Sequence, residues 1–471
     1  MIVACALFME NMDATVIATA LPTIARGFGE SPLKLNLAIT CYLLSLGIFL
    51  PLSGWLADRF GARTVFSSAI VVFTFGSIAC SSVESLPQMV LARILQGMGG
   101  AMMVPVGRLV VLRTIPKSEL VSAMAYLTVP ALMGPVIGPP LGGFIVTYFS
   151  WRWIFLINIP IGVLGLLLSL RFVPNVREPR EEPLDGLGFA ISSIGLAGTM
   201  FGFENVGRGI LSNEAVTGLI AAGIVFLGLY AWHSQRTAAP ILDVALLGIR
   251  TFRASVLGGF VFRIGIGALP FLTPLMLQLG FGLSPFASGM ITFAGAAGAM
   301  TMKLTAAPIL RALGFRTVLL LNTVVCAVSI SGYGFFRPST PHALIIGILL
   351  VGGFFRSLQF TSLNTLAYAD IAAGLMSRAT TLSSVGQQLS LSFGVGLGAL
   401  LLHLTLAIRG REELGASDFS PAYFAIAGIS LLSLFFFARL PRDAGAEISG
   451  RREAAPAEAM AREPAAPHPA E

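Results

Sequence analysis

Three ionisable side chains stand in stretches too apolar to be loops. Glu10 and Asp13 lie three residues apart in a run that is apolar from Ile2 onward, and Arg93 lies in Leu91-Ala-Arg93-Ile-Leu-Gln96-Gly97. On a helix, positions three apart share a face. Two carboxylates this close in hydrocarbon do not both ionise easily. A carboxyl group that takes up and releases a proton is what coupling to a proton gradient requires. The run Asp13-x-Thr15-Val-Ile-x-x-Ala20-Leu21-Pro22 gives Asp13 a defined context and favours it over Glu10 as the coupling acid. An arginine at mid-membrane costs about 2.5–3.5 kcal/mol on insertion scales unless it is paired or hydrated. Arg93 is therefore expected to face a bundle interior and tune the acid, with Gln96 one turn on. Two plainer arrangements stay open: a carboxylate permanently ion-paired to Arg93, and an arginine bonded only to backbone carbonyls.

A second group of polar residues is basic. Arg263, Lys303, Arg356 and Gln359 fall in apolar segments of the second half, with no mid-membrane acid beside them. Gln96, Arg263, Arg356 and Gln359 are the candidates for lining a substrate cavity. Three cations facing it would suit an anionic or zwitterionic molecule; the alternative is snorkelling to the interface, Lys303 first. Glu204 is read as interfacial and His403 as a core histidine. Cys5, Cys41, Cys80 and Cys326 each lie inside an apolar segment, without a C-x-x-C pair, and His233, His342, His403 and His468 are scattered. That pattern supplies neither metal ligands nor a nucleophile with its base, so no metal, no cofactor and no enzyme activity is expected.

The elements that must position these residues are membrane helices. The chain has 471 residues, 55% hydrophobic and only 11% charged, with mean hydropathy +0.84. Soluble domains carry about 25% charged residues. Apolar runs of roughly 20 residues are helix length, and hydrocarbon admits only helices or closed barrels. Fourteen spanning candidates follow, the first at 1–21. No basic region precedes it, so a cleaved signal is not expected.

Two short patterns recur. Gly54-Trp-Leu-Ala-Asp58-Arg59-Phe-Gly61-Ala-Arg63-Thr64-Val65 is echoed by Ala307-Pro-Ile-Leu-Arg311-Ala-Leu-Gly314-Phe-Arg316-Thr317-Val318, and Arg93-x-x-Gln96 by Arg356-x-x-Gln359. The shift corresponds to eight helices, so two extra helices separate two six-helix halves. The division is 1–173 and 254–438 for the halves, 187–233 for the extra pair, 234–253 for a cytoplasmic linker and 439–471 for a disordered tail. Ile241, Leu242, Leu246, Leu247 and Ile249 suggest an interfacial amphipathic helix in the linker. Eighteen basic residues fall on one side of the alternating loops and seven on the other. The net charge of +7 thus reads as topology with both termini cytoplasmic, and not as nucleic-acid binding.

Gly54, Asp58, Arg59, Gly61 and Arg63 form a tight turn between helices. Asp58 can bond Arg59, Arg63 or a helix N-terminus of the neighbouring bundle and so latch one side; Arg311 replaces the acid in the second copy. Gly134-Pro135-x-x-Gly138-Pro139-Pro140-x-Gly142-Gly143 combines kinking and close approach in one helix, sealing or hinging a cavity, or simply packing it.

The Asp58 loop, Arg93-x-x-Gln96-Gly97 and the Gly134–Gly143 pattern together resemble the major facilitator superfamily. With Asp13-x-Thr15 through Leu21-Pro22, Trp151-Arg-Trp-Ile-Phe-Leu-Ile-Asn-Ile-Pro-Ile-Gly162 and fourteen candidate spans, the chain looks like its fourteen-helix drug:H⁺ antiporters. The resemblance implies alternating access by two six-helix bundles, driven by the proton gradient, with coupling roles for Asp13 and Arg93 and an antiporter role for the glycine–proline helix. It departs from the pattern at Ala18, where asparagine is frequent, and lacks the later acids some members use for cationic drugs. The expectation is a monomeric exporter of small molecules in the bilayer of a bacterial inner membrane. The alternative is a proton symporter taking up an anionic metabolite.

Overall fold

The computed structural model describes residues 2–450 apart from 31, 117–118, 176–182, 207–210, 304 and 411–413. Among these residues no strand forms. The helices in the first part of the chain are α1 (Ile2–Phe28), α2 (Pro32–Phe49), α3 (Leu52–Phe60), α4 (Ala62–Ser82), α5 (Leu86–Thr114), α6 (Leu120–Tyr148), α7 (Trp153–Leu156), α8 (Asn158–Phe172), α9 (Gly186–Asn205) and α10 (Asn213–Ser234). Those in the second are α11 (Arg250–Arg253), α12 (Gly259–Gly267), α13 (Leu269–Leu275), α14 (Pro285–Met302), α15 (Ala306–Leu313), α16 (Phe315–Gly334), α17 (His342–Leu366), α18 (Met376–Arg409), α19 (Phe419–Leu432), α20 (Leu434–Phe437) and α21 (Ala446–Ser449). Among the described residues ten helical stretches are long and apolar enough to cross a membrane, and two bent pairs raise that to twelve.

The bends are the structural form of the sequence repeat. Between α2 and α3 the axis turns by 56° at Leu50-Pro51, where proline has no N–H to give and disfavours helix in the residue before it. Between α14 and α15, the matching place in the second copy, it turns by 64°. Both α3 and α15 then stop at a glycine with positive φ, Gly61 at 89° and Gly314 at 76°. Only glycine adopts such angles without strain. The Gly-x-Arg-Thr-Val pattern is thus one backbone turn built twice.

Burial ranks the helices. α5 is 72% buried over its most apolar stretch and α10 only 17%, so α5 runs through the interior and α10 turns its side chains to lipid. α6 approaches α1 closely through glycines. A Cβ on Gly134 would meet the backbone of Met12 at 2.8 Å, and Gly138 faces the Thr15 side chain. Thr15 Oγ1 donates to the Gly134 carbonyl at 3.3 Å. Gly142 is buried, and Gly143 has open space around it. The side chains of Pro135 and Pro139 lie outside the described residues.

The linker differs from the sequence expectation. In place of an amphipathic helix on the membrane surface, it forms a short 3₁₀ turn, Val244–Gly248, and buries Ile241, Leu242 and Leu246 against the protein. Tyr230 Oη and Ser234 Oγ hold the Leu242 carbonyl at 2.8 and 2.9 Å. The apolar side chains find a protein surface before a lipid one. The tail expected to be disordered from 439 is ordered at its start: α21 caps the bundle with Ile448 buried, and 451–471 lie outside the described residues.

Replacing Gly134 by alanine should lower the thermal unfolding midpoint, at a cost of about 1–3 kcal/mol, while Gly143→Ala should leave it unchanged. Unfolding can be followed with a thiol-reactive dye, because Cys80 and Cys326 are buried. Equal midpoints for the two variants would contradict this account of the α1–α6 contact.

Candidate functional site

α5 carries the buried arginine into the centre of the first half. Arg93 and Gln96 are fully buried, and Asp13 is 3% exposed. Arg93 Nη1 donates to Asp13 Oδ2 at 2.6 Å and to Gln96 Oε1 at 2.6 Å, and Arg93 Nε donates to the Ala38 carbonyl at 3.3 Å. Its guanidinium stacks on Tyr42, 4.3 Å from the ring centroid. Two amides complete the shell: Gln96 Nε2 and Asn158 Nδ2 donate to Asp13 Oδ1 at 2.9 and 3.0 Å, and both also donate to Ser77 Oγ, at 2.7 and 3.1 Å. Five helices, α1, α2, α4, α5 and α8, therefore meet in one network around this carboxylate. Arg93 is ion-paired to Asp13 and also bonds one backbone carbonyl, so the arrangement with backbone carbonyls alone is not the one found. Glu10 is buried one turn away, with no partner for Oε2.

This geometry has one chemical consequence. Oδ2 faces a cationic donor, so a proton placed there would set donor against donor and break the Arg93 contact. Oδ1 would still accept from Gln96 and Asn158. A neutral Asp13 would thus lose one tie between α1 and α5 while keeping those through Oδ1 to α5 and α8.

A second polar cluster joins the halves at the end carrying the basic loops. Asp58 accepts from Arg113 Nη2 at 3.0 Å through Oδ1 and from Ser377 Oγ through Oδ2. Ser377 stands in the first turn of α18, so the anion meets a helix N-terminus of the other half. Ser53 and Thr381 hydroxyls are 3.1 Å apart, and a Cβ on Gly54 would meet Thr381 Oγ1 at 2.6 Å. Arg59 stacks over Trp55, and Arg63 is half-buried.

The second half uses its polar residues differently. Gln359 is buried and donates to Thr323 Oγ1 at 2.9 Å and the Leu319 carbonyl at 3.3 Å, tying α17 to α16. Gln96 likewise faces inward on its own half. Arg356 lies near Gly295, Lys303 Nζ donates to Thr361 Oγ1 at 3.1 Å, and Arg263 Nη2 donates to Asn364 Oδ1 at 3.2 Å. Of the four candidate cavity residues, Gln96 and Gln359 are thus engaged within their own halves. Thr40 Oγ1 lies 3.5 Å from Glu204, which lines a cavity of about 600 Å³ with His403 between α9, α13 and α18. Tyr42, Ser77, Asn158, Arg113 and Ser377 were missed as site residues. Asn158 sits in the Trp151–Gly162 motif, which was the available signal; Ser77 and Tyr42 carry none beyond polarity in an apolar run.

A bundle of bent membrane helices with a repeated turn, a buried carboxylate–guanidinium pair in one half and an acidic contact to the other is the architecture of a membrane transporter. The chain belongs to the Major Facilitator Superfamily, whose family model matches residues 3–394, and its members are transporters and not enzymes. Among curated proteins it is 39% identical over 459 residues to the "Putative multidrug resistance protein MdtD" of Klebsiella pneumoniae strain 342, covering 96% of each chain. Among solved structures it shares its fold, at 15% identity and TM-score 0.65, with the human organic anion transporter MFSD10 (93% of this chain, 98% of that one) and with the proton:xylose symporter XylE (94% and 95%).

Asp13→Asn should destabilise the protein by about 3–5 kcal/mol, because Arg93 is then buried without its anion. Adding Arg93→Gln should restore part of that loss. A double variant no more stable than Asp13→Asn alone would refute the pairing. Asp58→Ala should loosen the latch end: a cysteine at Thr381 should react with a membrane-impermeant maleimide faster in that background, and an unchanged rate would rule the latch out.

Proposed function

We propose that the protein is a proton-coupled exporter of small molecules that works by alternating access. Its helices are read as fourteen spans: two six-helix halves, α1–α8 and α11–α20, with α9 and α10 as the extra pair. The basic-loop end and both termini face the cytoplasm of a bacterium, and the whole lies in its inner membrane. The observation that carries the reading is the Asp13–Arg93 pair at the meeting point of five helices. Asp13 pairs with Arg93, and Asp58, Ser53 and Gly54 meet α18 at the end read here as cytoplasmic. A proton arriving from outside neutralises Asp13 and releases Arg93. α5 bears Arg93 and also Arg113, which grips Asp58, and α1 leans on α6 through Gly134 and Gly138. A shift of α1 against α5 therefore reaches the inter-half contacts and opens the cytoplasmic end. Glu10 is a second carboxylate for the same proton. The name of the MdtD relatives supports export of small organic molecules. The MdtD relatives, the Gly134–Gly143 helix and the departure of the second half from an acid-lined cavity fit an exporter whose substrate is not a simple cation. Uptake of an anionic metabolite with protons is the second reading, favoured by Arg263, Lys303 and Arg356.

In proteoliposomes loaded with a pH-sensitive dye, a transported compound should evoke proton flux that Asp13→Asn reduces at least about 100-fold, as loss of an essential proton-transfer group does. Equal flux in both proteins would remove Asp13 from the coupling role. The direction of substrate movement in the same vesicles separates export from uptake.

A further inference from the structure

Two arginines, one from each half, converge on the same stretch of chain at the end of α17. Arg108 comes from α5 and bonds Tyr368, and Arg263 comes from α12 and bonds Asn364, four residues before it. Arg263 is 3% exposed, and its Nε has no partner. Among the described residues every acceptor they bond is neutral: Arg108 donates to Tyr368 Oη at 3.2 Å and Gln387 Oε1 at 3.4 Å, and Arg263 donates to Asn364 Oδ1 at 3.2 Å. Carboxylates at this end of the molecule are engaged elsewhere: Asp58 with Arg113, Asp243 with Arg378 and Asp370 with Thr251.

Two like charges brought together in a low dielectric are costly without a counter-ion, and buried intramembrane charges mark substrate paths. Guanidinium is also the group best shaped to hold a carboxylate or phosphate by two parallel bonds. We propose that Arg108 and Arg263 form an oxyanion site shared between the halves, which takes the carboxylate or phosphate group of the transported molecule. The proposal rests on the transporter reading above and names its substrate class. With one arginine on each half, a bound anion bridges the two bundles, and rearrangement of the interface changes the grip on it. The site also lies four turns along α5 from Arg93, roughly 20 Å at helical rise. Substrate and proton therefore do not compete for one group, and they communicate through α5.

The test uses the full-length protein in detergent, with thermal unfolding read by the thiol dye. Succinate and inorganic phosphate are titrated at constant ionic strength set with chloride. Saturable stabilisation is expected from at least one, and which one names the oxyanion. Arg108→Gln and Arg263→Gln should each weaken it about tenfold or more, while each variant alone unfolds at or above the wild-type midpoint because an uncompensated cation is gone. Arg263→Lys keeps the charge but loses the fork, and should fall between. Absence of saturable stabilisation by both anions, or stabilisation as strong in both glutamine variants as in the wild type, overturns the proposal. Dye-loaded proteoliposomes separate it from the underlying reading. Proton flux evoked by tetraphenylphosphonium and by neither anion leaves the transporter and removes the anion site. Arginine-dependent stabilisation without proton flux from any compound leaves the site and removes the coupling.

Discussion

A guanidinium in a membrane interior is costly without partners, and Arg93 is buried entirely. The first half is arranged around that constraint. Asp13 supplies the anion, Ala38 a carbonyl, Tyr42 an aromatic face, and Gln96, Asn158 and Ser77 the remaining polar partners. Because these groups come from five helices, the ionisation state of one carboxylate is felt by all of them. Such a network is stable only when its charges balance, which makes it a place where a single proton can favour one arrangement over another.

The duplication then explains how a local change reaches the interface. Each half contains a bent helix followed by a positive-φ glycine, but only the first carries an acid at the turn. Asp58 spans the halves, whereas Arg311 in the equivalent turn lies beside Gly450 at the end of α21. The two halves are alike in backbone and unlike in charge. The first holds the acid–base pair, and the second contributes cations and neutral amides. α5 connects these functions, with Arg93, Arg108 and Arg113 on successive stretches of a helix that is itself well buried.

Much of this was legible in the sequence, for physical reasons. Apolar runs of membrane length, the paired Gly-x-Arg-Thr-Val turns and the three-residue spacings of Glu10–Asp13 and Arg93–Gln96 all depend on local chain geometry. For Asp58, a helix N-terminus of the other half was among the expected partners and the first turn of α18 supplies it; Arg113 was not legible, because a tertiary contact and not sequence proximity brings it to the acid. Nor was the fate of Gln359: symmetry with Gln96 pointed to a cavity, whereas without an acid nearby its amide ties α17 to α16. The linker's apolar residues likewise gave a correct burial and the wrong surface, since amphipathicity does not say whether lipid or protein will cover it.

The account turns on Asp13 protonation moving the two halves apart at the basic-loop end. Distances between spin labels report this directly. Labels on the exposed positions Phe60 and Ala373, in a background without the four native cysteines, can be measured by double electron–electron resonance at pH 8 and pH 5. The wild-type distribution should shift to longer distances at the lower pH, and Asp13→Asn should give a single distribution at both. A pH-dependent shift of the same size in Asp13→Asn would contradict the account.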